Sequence, residues 1–304
     1  NIYIADTGND RVVKLNSTGG FVKTIGTAGT ADGEFTTPVA IEIDSNDNLW
    51  VTDEGDGGKI VKYTTAGVYD NLEINNDLTT PASVSSNSTH LVVVDTDDDE
   101  VKTYKISDGN AAPAATFGGN GSSTGQLYNP VDVAIDSSGN IFVVEEGNDR
   151  IQKFDNTGSY KAVIENGTSA TFNAPTAIVL DNDGNIHIAN TGDDTLSKLD
   201  PTELIAGTGP LKSNSTLPAG NTAIGTVAYT STNSTGYVLT TDTENDRVKI
   251  YDDRGNAVDE ATVVSPVGIA QNSTGFIFVA QNATNTIKIL YPDGSDTGDE
   301  LGDA

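Results

Sequence analysis

The stretch NIYIADTGNDRVVKL, residues 1–15, reads as a strand, a polar turn and a second strand, because apolar residues flank a turn rich in Gly, Asn and Asp. The same pattern recurs along the chain, and each copy has an acidic or amide residue, here called the anchor, at the end of its first strand. The seven anchors are Asp6, Asp53, Asp95, Glu145, Asn190, Asp242 and Gln281. They lie 39 to 52 residues apart, and a repeat of about 40 to 50 residues with about four short strands is typical of propeller blades.

The remaining strands of each unit are visible as well. Before most hairpins the sequence has a short apolar run and a turn, which predict an innermost strand opened by a proline: Pro38, Pro81, Pro130, Pro175 and Pro266. Proline is tolerated at the first position of a strand, where its missing N–H costs least. A glycine turn and a further apolar run follow the hairpins and predict an outer strand. The sequence therefore predicts an all-β propeller of four-stranded antiparallel blades.

The consensus of these copies, P-x-x-I-x-I-D-x-x-G-N-I-Y-V-A-D-x-G-N-x-R-I-x-K-F, resembles the NHL repeat, a β-propeller family. The resemblance covers residues 1–291 and is clearest in Asn1 to Leu15 and Pro130 to Phe154, whereas the copies around Pro81 and Ile224 depart from it. It predicts a single propeller over residues 1–291. Residues 292–304 are interpreted as an acidic, glycine-rich tail.

The number of blades depends on how the ends of the chain are used, because the sequence contains seven hairpins but six innermost strands. In one arrangement each hairpin forms its own blade, and the first of seven blades has three strands. In the other, the strand from Pro266 completes the N-terminal blade of a six-bladed ring, and the hairpin of residues 276–291 pairs with a neighbouring molecule. A third interpretation is that the chain is cut from a longer repeat array. We favour seven blades.

The chain is strongly acidic, with 44 Asp and Glu residues, 16 Lys and Arg residues and a formal net charge of −28. Binding to nucleic acid or to anionic lipid is disfavoured, since both require basic residues. No apolar run approaches the roughly 18 residues needed to cross a bilayer, so membrane insertion is not expected. Cysteine is absent, which excludes disulfides and thiolate metal sites.

Asn-x-Ser/Thr triplets indicate a glycoprotein. Eight of them begin at Asn16, Asn87, Asn120, Asn166, Asn214, Asn233, Asn272 and Asn282. Five read Asn-Ser-Thr, which is more than residue frequencies predict. The alternative is that Asn replaces Asp as a turn-forming residue, which explains the Asn but not the Ser-Thr that follows it. The triplets favour N-linked glycans and an extracellular or cell-surface location.

The innermost strands offer little catalytic chemistry. The positions expected to line a central channel are Ala40, Ser83, Asp132, Ala177, Gly225 and Gly268. Of these only Asp132 is a carboxylate, and Glu42 lies two residues beyond Ala40 on its own strand. Both histidines, His90 and His187, occupy ordinary strand positions. Calcium needs about six oxygen ligands and catalytic zinc about three protein ligands, so the sequence predicts no catalytic residues, no cofactor and no enzymatic activity.

Two groups of charged residues are interpreted as structural. By resemblance to the family, a brace joins the anchor to an arginine five residues later in three hairpins: Asp6 with Arg11, Glu145 with Arg150, and Asp242 with Arg247. The third hairpin lacks the arginine and crowds five acidic residues into one turn: Asp95, Asp97, Asp98, Asp99 and Glu100. Solvent and salt are expected to screen these carboxylates, and a bound Ca²⁺ is the alternative.

Together these features predict an extracellular, N-glycosylated propeller that acts as a structural or adhesive building block. Copies of itself, or other surface proteins, are the expected partners in a surface assembly or filament. The alternative is a propeller that binds a ligand, or acts as a metal-dependent hydrolase or lyase, in the central channel near Glu42 and Asp132. Regular polymers of the native protein would favour the first prediction, and a divalent metal bound at the channel would favour the second.

Overall fold

A computed structural model describes residues 1–108, 112–165, 172–193, 195–199, 215–216, 230–232, 237–252, 257–272 and 274–301. The chain divides into two compact units, of which the first comprises residues 3–15 and 21–163 and the second residues 1–2, 16–20 and 164–304. Regular structure in the described residues is almost entirely β, apart from single 3₁₀ turns at Thr7–Asn9, Ile106–Asp108 and Thr191–Asp193. No helix in this part of the chain is long and apolar enough to span a membrane.

The strands form seven sheets, called blades 1 to 7 in chain order, and within each blade consecutive strands are neighbours. Blades 1 to 4 belong mainly to the first unit. Their strands are β1 (Ile2–Asp6), β2 (Arg11–Leu15) and β3 (Phe21–Ile25); β4 (Pro38–Ile43), β5 (Asn48–Asp53), β6 (Lys59–Thr64) and β7 (Tyr69–Ile74); β8 (Pro81–Ser86), β9 (His90–Asp95), β10 (Glu100–Lys105) and β11 (Ala115–Gly118); and β12 (Pro130–Ile135), β13 (Asn140–Glu145), β14 (Arg150–Asp155) and β15 (Tyr160–Glu165).

Blades 5 to 7 belong to the second unit, and each has four strands. These strands are β16 (Pro175–Leu180), β17 (Ile186–Asn190), β18 (Thr195–Leu199) and β19 (Ser215–Thr216); β20 (Thr230–Thr232), β21 (Val238–Asp242), β22 (Arg247–Tyr251) and β23 (Ala257–Thr262); and β24 (Pro266–Gln271), β25 (Ile277–Gln281), β26 (Thr286–Leu290) and β27 (Asp296–Leu301).

This strand order decides the number of blades. The strand from Pro266 pairs antiparallel with β25 of its own hairpin, with Pro266 opposite Gln281, and does not complete blade 1. Blade 1 therefore keeps three strands. The prediction of an all-β, seven-bladed propeller with a three-stranded first blade is confirmed, and the six-bladed alternative is wrong.

The last strand differs from the sequence-based expectation. The predicted propeller ended at residue 291, yet β27 pairs with β26, with Leu301 opposite Ile287 and Glu300 opposite Lys288. Lys288 Nζ also lies 2.8 Å from Asp296 Oδ2. The sequence DTGDEL hides this strand because an outer strand has one face in solvent, where polar residues replace the expected alternation.

The second strand of most blades is buried on both faces. Leu91, Val92, Val93 and Val94 of β9 are all fully buried, and β13 shows the same pattern from Ile141 onward. A strand that is covered on both faces reads as a continuous apolar run rather than an alternating one. This explains runs such as LVVVD and places the anchor at the end of a buried strand.

Two kinds of hydrogen bond repeat along the chain, one between successive blades and one within a blade. The threonine after the anchor donates to the carbonyl of the proline that opens the next innermost strand, in the pairs Thr7 to Pro38, Thr96 to Pro130 and Thr243 to Pro266. The anchor carboxylate accepts backbone N–H groups from the segment before the innermost strand of its own blade. Asp95, for example, accepts from the N–H groups of Thr79 at 3.1 Å and Thr80 at 2.8 Å. The anchors therefore satisfy backbone donors that would otherwise be buried without a partner.

Candidate functional site

The strongest concentration of polar chemistry on the innermost strands lies around β8. Glu42 of β4 accepts two hydrogen bonds at Oε1, from Ser86 N at 2.8 Å and from Ser86 Oγ at 2.7 Å. Asp132 of β12 accepts from Ser83 Oγ at 2.5 Å, and Ser85 Oγ accepts from the N–H of Ile135 at 3.3 Å. We call Glu42, Ser83, Ser85, Ser86 and Asp132 the β8 site. It joins three successive blades of the first unit through polar side chains.

Glu42 has an unusual environment for a carboxyl group. Burial raises its pKa above the ordinary value of 4.5, the nearby Asp44 carboxylate adds to the increase, and the hydrogen bonds from Ser86 offset part of it. Both Ser86 donors bind Oε1, and a backbone hydrogen bond from Ile43 also acts to lower the pKa of Glu42. A buried carboxyl group with a raised pKa is suited to accept or donate a proton.

Asp132 is held more tightly than Glu42. Its Oδ1 accepts from both Ser83 Oγ and the N–H of Val133, the latter at 2.9 Å. The two carboxylates contact β8 through serines that lie three positions apart, so the structure links them to one strand without bringing them into direct contact. The same strand offers the Ser85 hydroxyl, whose oxygen is fixed by a backbone N–H.

The other predicted channel positions add no functional group. Ala40 is buried and its N–H donates to Thr52 Oγ1 at 3.0 Å, Ala177 is buried, and Gly268 lies opposite Ala280 in blade 7. Gly225 lies outside the described residues. Among the described positions of this set, polar side chains are therefore confined to the β8 site, where Ser85 and Ser86 join the predicted position Ser83.

The structure brings together all three predicted brace pairs. The arginine Nε and the anchor carboxylate are 2.7 Å apart in each of them: Arg11 with Asp6, Arg150 with Glu145, and Arg247 with Asp242. Arg150 is the most buried of these arginines and also donates to the backbone carbonyls of Ser122, Ser123 and Gln126. The guanidinium thus neutralises a buried carboxylate and fixes the loop before the innermost strand.

The acidic turn of blade 3 contains a cation that the sequence analysis overlooked. Lys102 is almost fully buried, and its Nζ lies 2.7 Å from Asp95 Oδ2, 3.3 Å from Glu100 Oε2 and 3.7 Å from Asp98 Oδ2. Burial alone would lower the pKa of Lys102, but Asp95 and Glu100 outweigh it and raise the pKa above 10.5. Lys102 therefore places one positive charge within 4.0 Å of three of the five carboxylates in this turn.

The remaining carboxylates of this turn are directed to separate protein donors. Asp97 accepts from Thr80 Oγ1 at 2.7 Å, and Asp99 accepts from the N–H of Asn129 at 2.6 Å and from the side chain of Asn120. Within the described part of the chain, no group of three or more His, Cys, Asp or Glu residues is arranged to hold a metal ion. The four weak metal candidates, Asp95, Asp97, Asp98 and Asp99, are thus not brought together as a ligand set.

Both histidine rings have a hydrogen-bond partner close to them in sequence. His187 is buried, and its Nε2 lies 3.0 Å from Asp181 Oδ2 in the adjacent turn. Trp50 occupies the same position of blade 2 and donates from Nε1 to Asp44 Oδ2 at 2.9 Å. His90 Nδ1 lies 2.8 Å from Thr89 Oγ1 at the start of β9. Trp50 and His187 thus place a ring nitrogen within hydrogen-bond distance of the aspartate in the adjacent turn.

The Asn-x-Thr triplets form turns with a common geometry. In the turns of Asn16, Asn87 and Asn272 the threonine two residues later donates to the Asn Oδ1 from both its N–H and its hydroxyl. Asp155 and Thr157 form the same turn without an Asn. Turn chemistry therefore explains the threonine as well as the Asn, and glycosylation stays a prediction.

The triplets also differ in whether the amide nitrogen of the Asn side chain donates a hydrogen bond within the protein. Asn16 and Asn282 are exposed, whereas the amide nitrogens of Asn87 and Asn272 donate to backbone carbonyls at 3.0 and 2.7 Å and that of Asn120 donates to a carboxylate. Three further predicted sites, Asn166, Asn214 and Asn233, lie outside the described residues.

Solved structures with a matching fold have little sequence in common with this chain. A proposed 6-phosphogluconolactonase from Bacteroides fragilis aligns over 99% of this chain and 93% of its own, with a TM-score of 0.74 and 14% identity. A streptogramin B lyase aligns over 92% and 86%, with a TM-score of 0.71 and 15% identity. A virginiamycin B lyase from Staphylococcus aureus aligns over 92% and 87%, with a TM-score of 0.68 and 13% identity. No curated protein matches the sequence.

These similarities correct the prediction that the chain is not an enzyme. The prediction wrongly excluded enzymatic activity, because propellers that match this fold over most of their length are named as a lactonase and as lyases. At identities of 13 to 15% they show the fold alone. The predicted adhesive and self-associating role gains no support from them.

The family is identified by sequence and fold together. The NHL repeat model matches residues 127–154, which comprise the end of the segment before β12 together with β12, β13 and most of β14. These residues include Pro130, the anchor Glu145 and its partner Arg150, and they form the blade in which the repeat is clearest. The same hairpin pattern builds the other blades of the propeller. The protein is therefore a seven-bladed β-propeller that contains an NHL repeat at residues 127–154.

Proposed function

We propose that the protein binds a small organic molecule at the β8 site and catalyses a hydrolase- or lyase-type reaction with Glu42 as the acid–base group. The observation that carries this proposal is the state of the Glu42 carboxyl group. Burial raises its pKa, and the N–H and the hydroxyl of Ser86 both donate to its Oε1. A structural carboxylate in this protein looks different, since both oxygens of Asp95 accept hydrogen bonds.

The substrate class follows from charge and from the site's donors. The chain carries a formal net charge of −28, and the five residues of the β8 site include two carboxylates and no cation, so an anionic substrate would be repelled. The Ser83 and Ser86 hydroxyls donate to the site's carboxylates, whereas the Ser85 hydroxyl oxygen accepts from a backbone N–H, so its proton suits the oxygen of a neutral carbonyl compound. The lactonase name of one structural neighbour supports a lactone, and we propose an uncharged lactone as the substrate.

Glu42 has a defined part in such a reaction. Its carboxylate takes a proton from a water molecule, which adds to the lactone carbonyl and forms a tetrahedral intermediate. When the ring C–O bond breaks, the protonated Glu42 returns the proton to the leaving alkoxide, so that lactone and water give one hydroxy acid. Ser86 holds the carboxyl group in place during both transfers, and such positioned proton transfer contributes about 10²- to 10⁴-fold to a rate.

The test compares Glu42→Gln with a matched carboxyl variant. Glu54 also has a pKa raised by burial and by neighbouring carboxylates, but it lies in the β5–β6 turn, outside the β8 site. With a panel of uncharged lactones and mass spectrometry of the product, we expect the wild type and Glu54→Gln to form the hydroxy acid. Glu42→Gln is expected to lose at least about 100-fold in kcat with an unchanged melting temperature.

The pH profile gives a second readout. Since the base must be ionised, kcat should rise with pH through the raised pKa of Glu42, above 4.5. A wild type that turns over no lactone in the panel, or a Glu42→Gln variant as active as Glu54→Gln, would refute the assignment. The predicted extracellular location and N-linked glycans are compatible with this function and stay predictions.

A further inference from the structure

The innermost strands of blades 2, 3 and 4 have a free edge. Among the described residues, β4, β8 and β12 each lie at the end of their sheet and pair with one neighbouring strand. In an antiparallel pair, residues that exchange backbone hydrogen bonds alternate with residues whose N–H and C=O groups point away from the partner strand. Every second residue of these strands therefore directs its backbone N–H to the free edge.

The turn after β8 shows which residues these are. The N–H of Asn87 donates to the carbonyl of His90, so these two residues form a hydrogen-bonded pair. The alternation from Asn87 back along β8 turns the N–H groups of Ser86 and Val84 to the free edge. The hydrogen bond from the N–H of Ser86 to Glu42 on the neighbouring innermost strand agrees with this direction. The third and the fifth residue after the opening proline thus present edge N–H groups.

The same count applies to blades 2 and 4, because an equivalent hydrogen bond closes the turn after β4 and after β12. The edge N–H groups are those of Ile41 and Ile43 in β4 and those of Val133 and Ile135 in β12. The three innermost strands therefore present six edge N–H groups, two on each strand.

Two of the six edge N–H groups are open. The other four donate to side chains of the β8 site: Ile43 and Ser86 to Glu42, Val133 to Asp132, and Ile135 to Ser85. The N–H groups of Ile41 and Val84 have no acceptor among the residues that the structure describes. The free edges of β4 and β8 thus offer two backbone donors for a ligand.

The open donors lie close to Glu42. β4 and β8 are in contact, and Ile41 and Val84 occupy the same position, three residues after the opening proline. Glu42 binds the N–H of Ser86, which lies two residues beyond Val84, and two residues of a strand span about 6.7 Å. That interval accommodates a water molecule held by Glu42 and the carbonyl carbon that it attacks, with the carbonyl oxygen at the open N–H groups.

We propose that the N–H groups of Ile41 and Val84 join the Ser85 hydroxyl as donors to the substrate carbonyl oxygen and stabilise the oxyanion that forms when water adds. This inference rests on the proposed lactone hydrolysis. Preorganised donors aimed at a developing negative charge are usually the largest single contribution to such catalysis. The two N–H groups keep their protons throughout, so the proton transfers of Glu42 stay as described.

Proline variants test the two N–H groups, since proline at an edge position removes an N–H that the sheet does not use. Val84→Pro should have a kcat at least about 100-fold below that of Val84→Ala, with a much smaller change in KM, because an oxyanion donor acts in the transition state. Ile41→Pro should differ from Ile41→Ala in the same way. The pH profile of kcat should stay that of the wild type, because Glu42 is unchanged.

Ile269→Pro in blade 7 is the matched control. Ile269 is the third residue after Pro266, the same count turns its N–H to the free edge of β24, and it is 8% exposed, as is Val84. β24 carries no carboxyl group, so Ile269→Pro should lower kcat far less than Val84→Pro. Equal kcat values for Val84→Pro and Val84→Ala, or an equal loss in Ile269→Pro, would overturn the proposal.

Amide NMR of the wild-type protein gives a readout that requires neither turnover nor a folded variant. The probe is δ-valerolactam, an uncharged lactam that keeps the carbonyl group and resists hydrolysis. We expect it to shift the amide protons of Ile41 and Val84 downfield and to leave that of Ile269 in place.

The NMR result separates this inference from the proposed function. Unchanged amide signals of Ile41 and Val84 would overturn the inference, and lactone hydrolysis that depends on Glu42 would then still support the proposed function. If the lactam shifts both signals but no lactone is hydrolysed, the proposed hydrolysis and the oxyanion role are wrong, and the carbonyl-binding site stands.

Discussion

Replacing Lys102 by methionine should destabilise the protein by about 3 kcal/mol at neutral pH. Lys102 and Asp95 are almost fully buried, with 2.7 Å between Nζ and Oδ2. Removal of one partner of a buried ion pair costs about 3 to 5 kcal/mol, because the other charge stays buried without compensation. Asp95 keeps its hydrogen bonds from Thr79 and Thr80, which places the expected loss at the lower end of that range.

A matched variant isolates the effect of burial. Lys62 makes an ion pair of the same length, 2.7 Å, but its partner Asp70 is 43% exposed, and surface pairs contribute about 0 to 1 kcal/mol. Lys62→Met should therefore cost at most about 1 kcal/mol. Urea unfolding is followed by the fluorescence of Trp50, which is the single tryptophan and packs in one core cluster with Tyr104 of β10.

Two further measurements test the reasoning. Burial would raise the pKa of Asp95, but its hydrogen bonds outweigh this and hold the pKa below 3.8. Because the pKa of Asp95 is lower in the folded state than in the unfolded state, its ionisation stabilises the fold at pH values above the unfolded-state pKa. This stabilisation is lost as pH falls through the folded-state pKa. The gap between Lys102→Met and wild type should therefore narrow below about pH 4. The double variant Asp95→Asn, Lys102→Met should be more stable than Lys102→Met alone by at least about 1 kcal/mol in free energy of unfolding. A Lys102→Met loss no larger than that of Lys62→Met would refute the argument.

Three shorter predictions concern other parts of the fold. Gly57 and Gly58 both have positive φ, but a Cβ on Gly58 would lie 2.6 Å from a backbone carbonyl, whereas a Cβ on Gly57 has no atom within 4 Å. In urea unfolding, Gly57→Ala should therefore lower the free energy of unfolding by about 1 kcal/mol and Gly58→Ala by about 3 kcal/mol. Burial alone would raise the pKa of Asp181, but hydrogen bonds from neighbouring side chains outweigh it and hold the pKa well below 3.8. The difference in free energy of unfolding between wild type and Asp181→Asn should therefore shrink as pH falls below 3.8 and vanish only below the folded-state pKa. If the native protein carries N-linked glycans, peptide mass spectrometry should find Asn282 occupied more fully than Asn87, whose amide nitrogen donates to a backbone carbonyl.

The repeat made most of the fold predictable, since hairpins and innermost strands recur with local signals. The number of blades needed the structure, because seven hairpins and six innermost strands allow two closures. β27 was missed because its residues face solvent and carry little apolar pattern. These failures share a cause: local sequence shows the strands, but not which edges they meet.

The β8 site was out of reach for a related reason. Glu42 and Ser86 are 44 residues apart in sequence, and their contact exists because the innermost strands of successive blades are adjacent. Glu42 and Asp132 are visible in the sequence as the carboxylates near the channel positions, and they are too few for a metal site. The donors that each carboxylate receives lie on another strand and are not visible there. The serines of β8 decide that question, and they are too common for their spacing to serve as a signal.

The anchors show what the repeat conserves physically within this one chain. Asp53, Asp95, Glu145 and Gln281 each accept a backbone N–H from the segment before the innermost strand of their own blade. A buried carboxylate in that position needs a cation. Where the anchor is a carboxylate, a basic residue follows five to seven positions later and forms an ion pair with it: Arg11, Lys59, Lys102, Arg150 and Arg247. Where the anchor is an amide, at Asn190 and Gln281, the residue five positions later is a threonine that accepts from the amide nitrogen. The anchor and the residue that pairs with it thus change together from blade to blade. Lys102 lies seven residues after its anchor rather than five and is not an arginine, but it has the same role and is the brace of blade 3.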